Sequence, residues 1–122
     1  MGVKDLMMQR SRSYQFLDRS FNLREGVIKI NSHNTLEHEL AKFFLCWELK
    51  SLGKEFVTEA IFSNKKRADI FVLDDEEALE VVKSESEESI KRKEADYPVY
   101  VTFFQPNNVI NNWIKTLIKR RE

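Results

Sequence analysis

The apolar positions along the chain change period several times, and each change predicts an element. Over residues 35–52, TLEHELAKFFLCWELKSL, the residues Leu36, Leu40, Phe43 and Trp47 recur at 4-3-4 spacing, which is the stripe of an amphipathic helix. Leu45, Leu49 and Leu52 are apolar on its far side, so this helix is expected to be buried on more than one face. Asn34 or Thr35 can cap it, Glu37 and Glu39 suit its first turn, and Gly53 ends it. Three β-branched and aromatic runs follow: KEFVTEAIF, RADIFVL and ALEVVK, separated by the turn sequences SNKK and DDEE. SESEESIKRKEADY opens with serines and acids and carries cations later, which predicts a helix, and Tyr97-Pro98 breaks it. VYVTFF is almost continuously apolar, the pattern of a strand covered on both faces. VINNWIKTLIKRR closes the chain as an amphipathic helix with a basic end. Ahead of the main helix, residues 1–25 read as a short helix or arm, and GVIKINS as a short strand. The predicted order is α-β-β-β-α-β-α, a mixed α/β fold without internal repeats.

The length of 122 residues bounds the chain to one domain. Its predicted parts are a basic N-terminal arm over residues 1–33, a core over 34–104 and a C-terminal helix over 108–121. Apolar residues at 42% and charged residues at 33% describe a globular chain with a heavily charged surface, which excludes disorder and loop-dominated scaffolds. The single cysteine, Cys46, excludes a disulfide framework and any multi-cysteine metal site, and its apolar neighbours make it a core thiol. The first residues lack the apolar run of a signal peptide, and no stretch is long enough to span a membrane. A reducing, intracellular (cytoplasmic) setting without membrane contact is therefore the expectation. The glycines are isolated, so no loop is available to cradle the phosphates of an organic cofactor.

The net charge is zero, but its distribution is uneven. Residues 1–33 hold six basic groups and three acids, a net of +3, whereas residues 74–88 hold eight acids and only Lys83, a net of −7. The last ten residues return to +3. A bulk polycation that coats nucleic acid is excluded, while a local basic patch is not. Carboxylates for a metal with cations for phosphates would suit a cation-dependent phosphodiesterase. The plainer reading is a set of solvated faces.

The predicted hairpin RADIFVL-DDEE-ALEVVK carries the chemistry. With the four acids as its loop, Leu73 faces Ala78, Phe71 faces Glu80 and Asp69 faces Val82. Asp69 and Glu80 then become diagonal neighbours on one face, roughly 7–8 Å apart at the backbone. Both stand in otherwise apolar strands, where an acid is costly unless it is paired or metal-bound. Mg²⁺ takes such oxygen ligands, one or two carboxylates with waters and substrate phosphate, and can polarise a phosphoryl group. The alternative is that Asp69 pairs with a nearby cation such as Arg67 and that Glu80 lies at a sheet edge.

The helix segment LEHELAKFF, the Asp strand RADIFVL and the Glu/Lys strand ALEVVKSES, in this order, resemble the PD-(D/E)XK nuclease superfamily. Within it they look most like small archaeal Holliday-junction resolvases and related archaeal or viral nucleases. The resemblance covers roughly residues 34–104. It implies a restriction-endonuclease-like αβββαβ core, a mixed central sheet flanked by helices. It implies Mg²⁺-dependent endonuclease chemistry on DNA, with Mn²⁺ substituting, on branched or structured DNA in recombination or replication. Asp69 and Glu80 match the metal-binding pair, and Glu37 or Glu39 matches the helix glutamate. The lysine departs from the motif, because Val82 occupies its position and Lys83 follows. A β-bulge could re-aim Lys83, Lys91 or Lys93 from the next helix could supply the ammonium, or none is supplied and the site is weak or dead.

For DNA contact the arm offers Arg10, Arg12, Arg19 and Arg24, and the turn before the Asp strand offers Lys65 and Lys66; Lys91 and Lys93 add to these. Small members of the superfamily commonly work as homodimers. A dimer face could be the apolar side of the C-terminal helix (Val109, Ile110, Trp113, Leu117) or an edge strand. His38 reads as a helix-surface residue, and Glu85 as part of an acidic first turn within reach of the site's edge. Two further readings stand beside the nuclease: a nuclease-like fold retained as a DNA-binding or assembly module, and an unrelated α/β interaction protein. A basic residue saturating Asp69 would favour the last.

Overall fold

The computed structural model of the chain describes residues 2–20 and 25–121. A helix α1 (Val3–Ser13) runs into a 3₁₀ turn at Tyr14–Phe16. The main body follows as α2 (Leu36–Ser51), β1 (Phe56–Ile61), β2 (Arg67–Val72), β3 (Glu77–Val81), α3 (Glu87–Asp96), β4 (Tyr100–Phe104) and α4 (Pro106–Arg121). β1, β2 and β3 form an antiparallel meander, and β4 joins β3 in parallel, so the sheet is mixed and ordered β1-β2-β3-β4. Parallel neighbours need a crossover, which α3 supplies.

Local chemistry sets the helix ends. The Thr35 side chain accepts from the His38 N–H, and the Ser86 side chain from the Ser89 N–H. Gly53 at φ 74° closes α2: its N–H bonds the Lys50 carbonyl while the Lys54 N–H reaches back to the Leu49 carbonyl. Pro106 opens α4, where its missing N–H costs nothing.

Both faces of the sheet are covered. On one face, Phe56, Ile70, Val72, Leu79 and Val81 meet Ala41, Leu45, Cys46 and Leu49 of α2 and Val109 of α4. On the other, Val57, Ala60, Ala68, Phe71 and Ala78 pack with Leu17, Phe62, Leu73 and Tyr97. α1 lies as a strap over the β2–β3 turn. Arg10 makes a bidentate contact with Asp74 at 2.7 and 3.1 Å and bonds the Gly53 carbonyl, Gln9 bonds Glu76, and the Ser13 hydroxyl bonds the Leu73 carbonyl.

Four expectations change here. The stripe Leu36, Leu40, Phe43 and Trp47 faces outward, and α2 is buried only through the opposite side, where Ala41 and Cys46 are small enough for close approach to the sheet. GVIKINS is not a strand. Its Lys29 N–H and Val27 carbonyl bond the Thr58 hydroxyl instead of a backbone ladder. β4 is an edge strand with Tyr100 and Thr102 exposed, not a strand covered on both faces. The face of α4 expected to pair between copies is already occupied. Val109 is buried, Trp113 stacks on Phe44 with ring centres 5.4 Å apart, and the side chain of Leu117 lies outside what is described.

The orientation of α2 has a direct test. Leu45→Ala should lower unfolding free energy by about 2–4 kcal/mol, and Leu36→Ala by no more than about 0.5 kcal/mol, both read by urea denaturation. The reverse ranking would place the outward stripe in the core.

Candidate functional site

The β2–β3 register pairs Val72 with Glu77, Phe71 with Ala78 and Ile70 with Leu79. This differs by two residues from the expected hairpin, because the turn begins at Leu73 and Glu77 joins the strand. Leu73 is buried in the core and donates its N–H to the Glu55 carbonyl, and Glu76 turns the chain at φ 50°. The next rung therefore sets Asp69 directly opposite Glu80 rather than diagonal to it. There the carboxylates replace the backbone ladder. The Asp69 N–H donates to Glu80 Oε1 at 2.9 Å, and the Val81 N–H donates to Asp69 Oδ2 at 2.8 Å.

The strands are irregular at this level. Ala68 and Phe71 pack in one cluster, as do Val57 and Ala60, although strict alternation would separate each pair. Glu59, between Val57 and Ala60 on β1, adopts φ 50°, a left-handed conformation that costs roughly 1–2 kcal/mol outside glycine. The face change frees Asp69 from the side of Phe71 and Leu73, where the expected alternation had put it.

α2 closes one side of the rung. His38 Nε2 lies 3.2 Å from Asp69 Oδ2, and its Nδ1 lies 3.0 Å from Glu39 Oε2. The hydrogen bond to Asp69 raises the His38 pKa to about 9 against the opposing effect of burial. Glu39 is half-buried, and desolvation opposes its charge. Hydrogen bonds from Lys42, the Asn31 N–H and His38 outweigh that and hold its pKa below the ordinary range. Lys42 is buried, with Nζ 2.8 Å from Glu39 Oε1, 2.7 Å from the Lys29 carbonyl and 3.9 Å from Glu59 Oε1. Glu59 Oε1 itself is buried with no hydrogen-bond partner among the described residues.

α3 closes the other side. Glu80 is buried, and desolvation together with the neighbouring Asp69 charge pushes its pKa up to about 7. The Tyr97 hydroxyl lies 3.1 Å from Glu80 Oε1 and 2.5 Å from the Arg67 carbonyl. Lys93 Nζ lies 3.6 Å from Glu80 Oε2 and 2.5 Å from Glu85 Oε1. Burial disfavours the Lys93 ammonium, but Glu85 and Glu80 more than restore it and its pKa is raised.

The structure thus brings together Asp69, Glu80, Glu39 and Lys93 of the residues singled out from sequence. Glu37 is exposed and away from the rung, so Glu39 is the helix glutamate at the site. Lys83 is exposed just past the end of β3 and makes no hydrogen bond or ion pair among the described residues, and no bulge re-aims it. Lys91 is exposed on the outer side of α3. His38 corrects its reading as a surface residue. Lys42, Glu59 and Tyr97 carried no signal in the sequence, because a single lysine, glutamate or tyrosine at those spacings looks like any other.

The basic residues expected on DNA are partly engaged elsewhere. Arg10 is held by Asp74, Arg12 bonds Gln9, Lys65 pairs with Asp18 and Lys66 with Asp96 at 3.6 Å. Arg19 is exposed, and Arg24 lies outside the described residues. Among the described residues, no three His, Cys, Asp or Glu side chains stand close enough to hold a metal ion together. Two carboxylates are nevertheless a sufficient protein contribution for Mg²⁺, which keeps most of its waters. Two cavities of about 410 Å³ lie elsewhere, one between α2 and α4 and one beside residues 97–101, and neither is lined by Asp69 or Glu80.

Two of the shifted groups, Glu80 and His38, make stability depend on pH in two windows. Both folded pKa values lie above the ordinary ones, so each contribution is complete at low pH and lost as pH rises through the folded value. Stability should fall from about pH 4.5 to 7 through Glu80, and from about pH 6.5 to 9 through His38. In thermal melts across this range without divalent metal, Glu80→Gln should flatten the lower window and His38→Gln the upper. Slopes unchanged in both variants would contradict the assignment.

No helix among the described residues is long and apolar enough to cross a membrane. Against family models, curated proteins and solved structures the chain finds no match, so the reading of the site rests on its own geometry.

Proposed function

We propose that the chain is a divalent-metal-dependent DNA endonuclease that hydrolyses phosphodiester bonds at the Asp69–Glu80 rung. The observation that carries this reading is the meeting of those two carboxylates on one rung with a lysine ammonium beside them. The order α2-β1-β2-β3-α3-β4 and the mixed sheet support it, being compatible with the core that the sequence resemblance implies. Asp69 and Glu80 are the residues to hold Mg²⁺ or Mn²⁺. When bound, the cation would supply Lewis-acid polarisation of the phosphoryl group and acidify water. Lys93 replaces the motif lysine that Val82 displaces: its ammonium can neutralise charge developing on the phosphoryl oxygens. Glu39 holds the His38 ring against Asp69.

A second reading has its own observation. His38 already saturates Asp69, and Lys93 already pairs with Glu80. A rung neutralised by its own side chains is what an unrelated α/β interaction protein would show, and Val82 at the motif lysine position suits a nuclease-like fold kept as a DNA-binding or assembly module.

Cleavage and DNA binding separate these readings. Supercoiled plasmid, linear duplex and a four-way junction are incubated with the protein in Mg²⁺ and in Mn²⁺. The nuclease reading expects metal-dependent cutting that Asp69→Ala abolishes and Lys93→Ala slows by about 10²–10³-fold, while Lys83→Ala stays within about twofold. DNA binding with no cutting in either metal, unchanged by Asp69→Ala, would establish the module instead, and neither binding nor cutting would establish the interaction protein.

A further inference from the structure

The two edges of the sheet differ in cover. Along β1 the chain blunts its own edge. The Gly26 N–H bonds the Phe56 carbonyl and the Asp18 N–H the Ile61 carbonyl, both at 2.8 Å, and the Lys29 N–H bonds the Thr58 hydroxyl. β4 pairs with β3 alone. The backbone bond just outside that ladder, from the Val82 N–H to the Phe104 carbonyl, also comes from the side of β3. Proteins protect an open edge with charge, proline or a bulge, because its unpaired N–H and C=O groups template another strand. Tyr100–Phe104 holds no charged residue, no proline and no left-handed position. The run VYVTFF has instead the composition of an interior strand, and Tyr100 stands 87% exposed.

We propose that β4 is the docking edge for an extended, basic segment of another protein, which adds to the sheet as a fifth strand and seats a lysine or arginine in the cavity at the start of β4. That cavity, of about 410 Å³, is lined by the first residues of the strand, by the rings of Phe16 and Tyr97, and by Glu76 and Glu94. Glu76 accepts from the Gln9 amide at 2.9 Å, and Glu94 is exposed. Neither acid pairs with a lysine, arginine or histidine among the described residues. Aromatic and apolar walls suit the stem of a long cationic side chain, and the two carboxylates suit its head.

Strand addition uses both features at once. Main-chain hydrogen bonds along the open edge supply affinity for an extended segment, and a pocket beside the edge selects its side chain. Charge chooses between occupants. Residues 74–88, which include β3 and Glu76, carry a net charge of −7 and draw a basic segment. A second copy of β4 would bring no cation, since its 5 residues are all uncharged, and would leave the acids of the cavity unpaired. The proposal stands on the edge and the cavity and not on the nuclease reading.

Isothermal titration calorimetry of the full chain with the end-blocked peptide Thr-Val-Thr-Arg-Thr-Val-Thr reads the docking. In the extended peptide valine and arginine share one face and threonine the other. Saturable binding below about 1 mM is expected. Replacing the arginine by glutamate should weaken it at least about 10-fold through the lost charge pairing. Methylating every backbone nitrogen should weaken it at least as much through the lost ladder. On the protein, Tyr100→Lys and Glu94→Lys should each cost at least about 10-fold with circular dichroism unchanged, because both residues are exposed. Amide hydrogen exchange locates the peptide. Saturation should slow exchange within Tyr100–Phe104 at least about 10-fold and leave the covered edge, Phe56–Ile61, as it was. No binding at about 1 mM, binding indifferent to methylation, or protection outside β4 would overturn strand addition. Equal binding of the glutamate peptide would overturn the cationic seat. A wild-type dimer that Tyr100→Lys disperses would assign the edge to a second copy and overturn the proposal.

Discussion

One rung of the sheet, in which two carboxylates stand where two backbone carbonyls would be, constrains everything around it. Asp69 and Glu80 each accept a backbone N–H from the other's strand, so the ladder is continued by side chains. This satisfies the donors that the irregular strands leave open. It also sets two acids side by side, and at buried Glu80 desolvation and the neighbouring Asp69 charge both oppose ionisation. Glu80 shows that opposition in its raised pKa. A rung of this kind is stable only if positive charge reaches it from outside the sheet, whether from side chains or from a bound cation.

The helices on either side supply that charge, each through a residue that is itself held. His38 is fixed between Asp69 and Glu39, and Glu39 is fixed by Lys42 and by the Asn31 N–H. Lys93 is fixed between Glu80 and Glu85, and Ser89 bonds Glu85 in turn. The result is a continuous charged path from α2 through β2 and β3 to α3. Its loosest member is Glu59, whose Oε1 has Lys42 at 3.9 Å and no hydrogen bond among the described residues. Its backbone is also strained. An unsatisfied buried oxygen and a left-handed glutamate on the strand next to Asp69 are costs the fold carries beside the rung.

Much of this fold was legible in the sequence. The period changes and the turn residues located the main helices and the strands in the right order, and the costly acids in apolar runs drew attention to Asp69 and Glu80, which do share a rung. What failed was finer. The hairpin register depended on whether Leu73 belonged to the strand or the turn, and only its burial against Phe71 and the strap of α1 decides that. A register difference of two keeps every side chain on its face, so the pattern alone cannot detect it. The lysine was open among three residues or none, and only the packing of α3 on the sheet brings Lys93, rather than Lys83 or Lys91, to 3.6 Å from Glu80. Lys42 was invisible because burial of a lysine needs three partners drawn from distant segments.

The orientation of α2 follows from the same electrostatics, and it connects the site to the outer surface. α2 has two apolar faces, and hydrophobicity by itself does not choose between them: the Leu36 stripe is the bulkier. Its polar residues do choose. His38 and Glu39 lie about 200° and 300° round from Leu36 at ~100° per residue, so turning the stripe inward would swing both away from Asp69. Lys42 would follow them and lose the Lys29 carbonyl and Glu59. A helix that delivers His38 and Glu39 to the rung must therefore carry Leu36, Leu40, Phe43 and Trp47 on its outside. The exposed stripe is thus not a failure of burial in a marginal core. It is the geometric consequence of building an acidic site against the inner face of a helix whose outer face is also apolar.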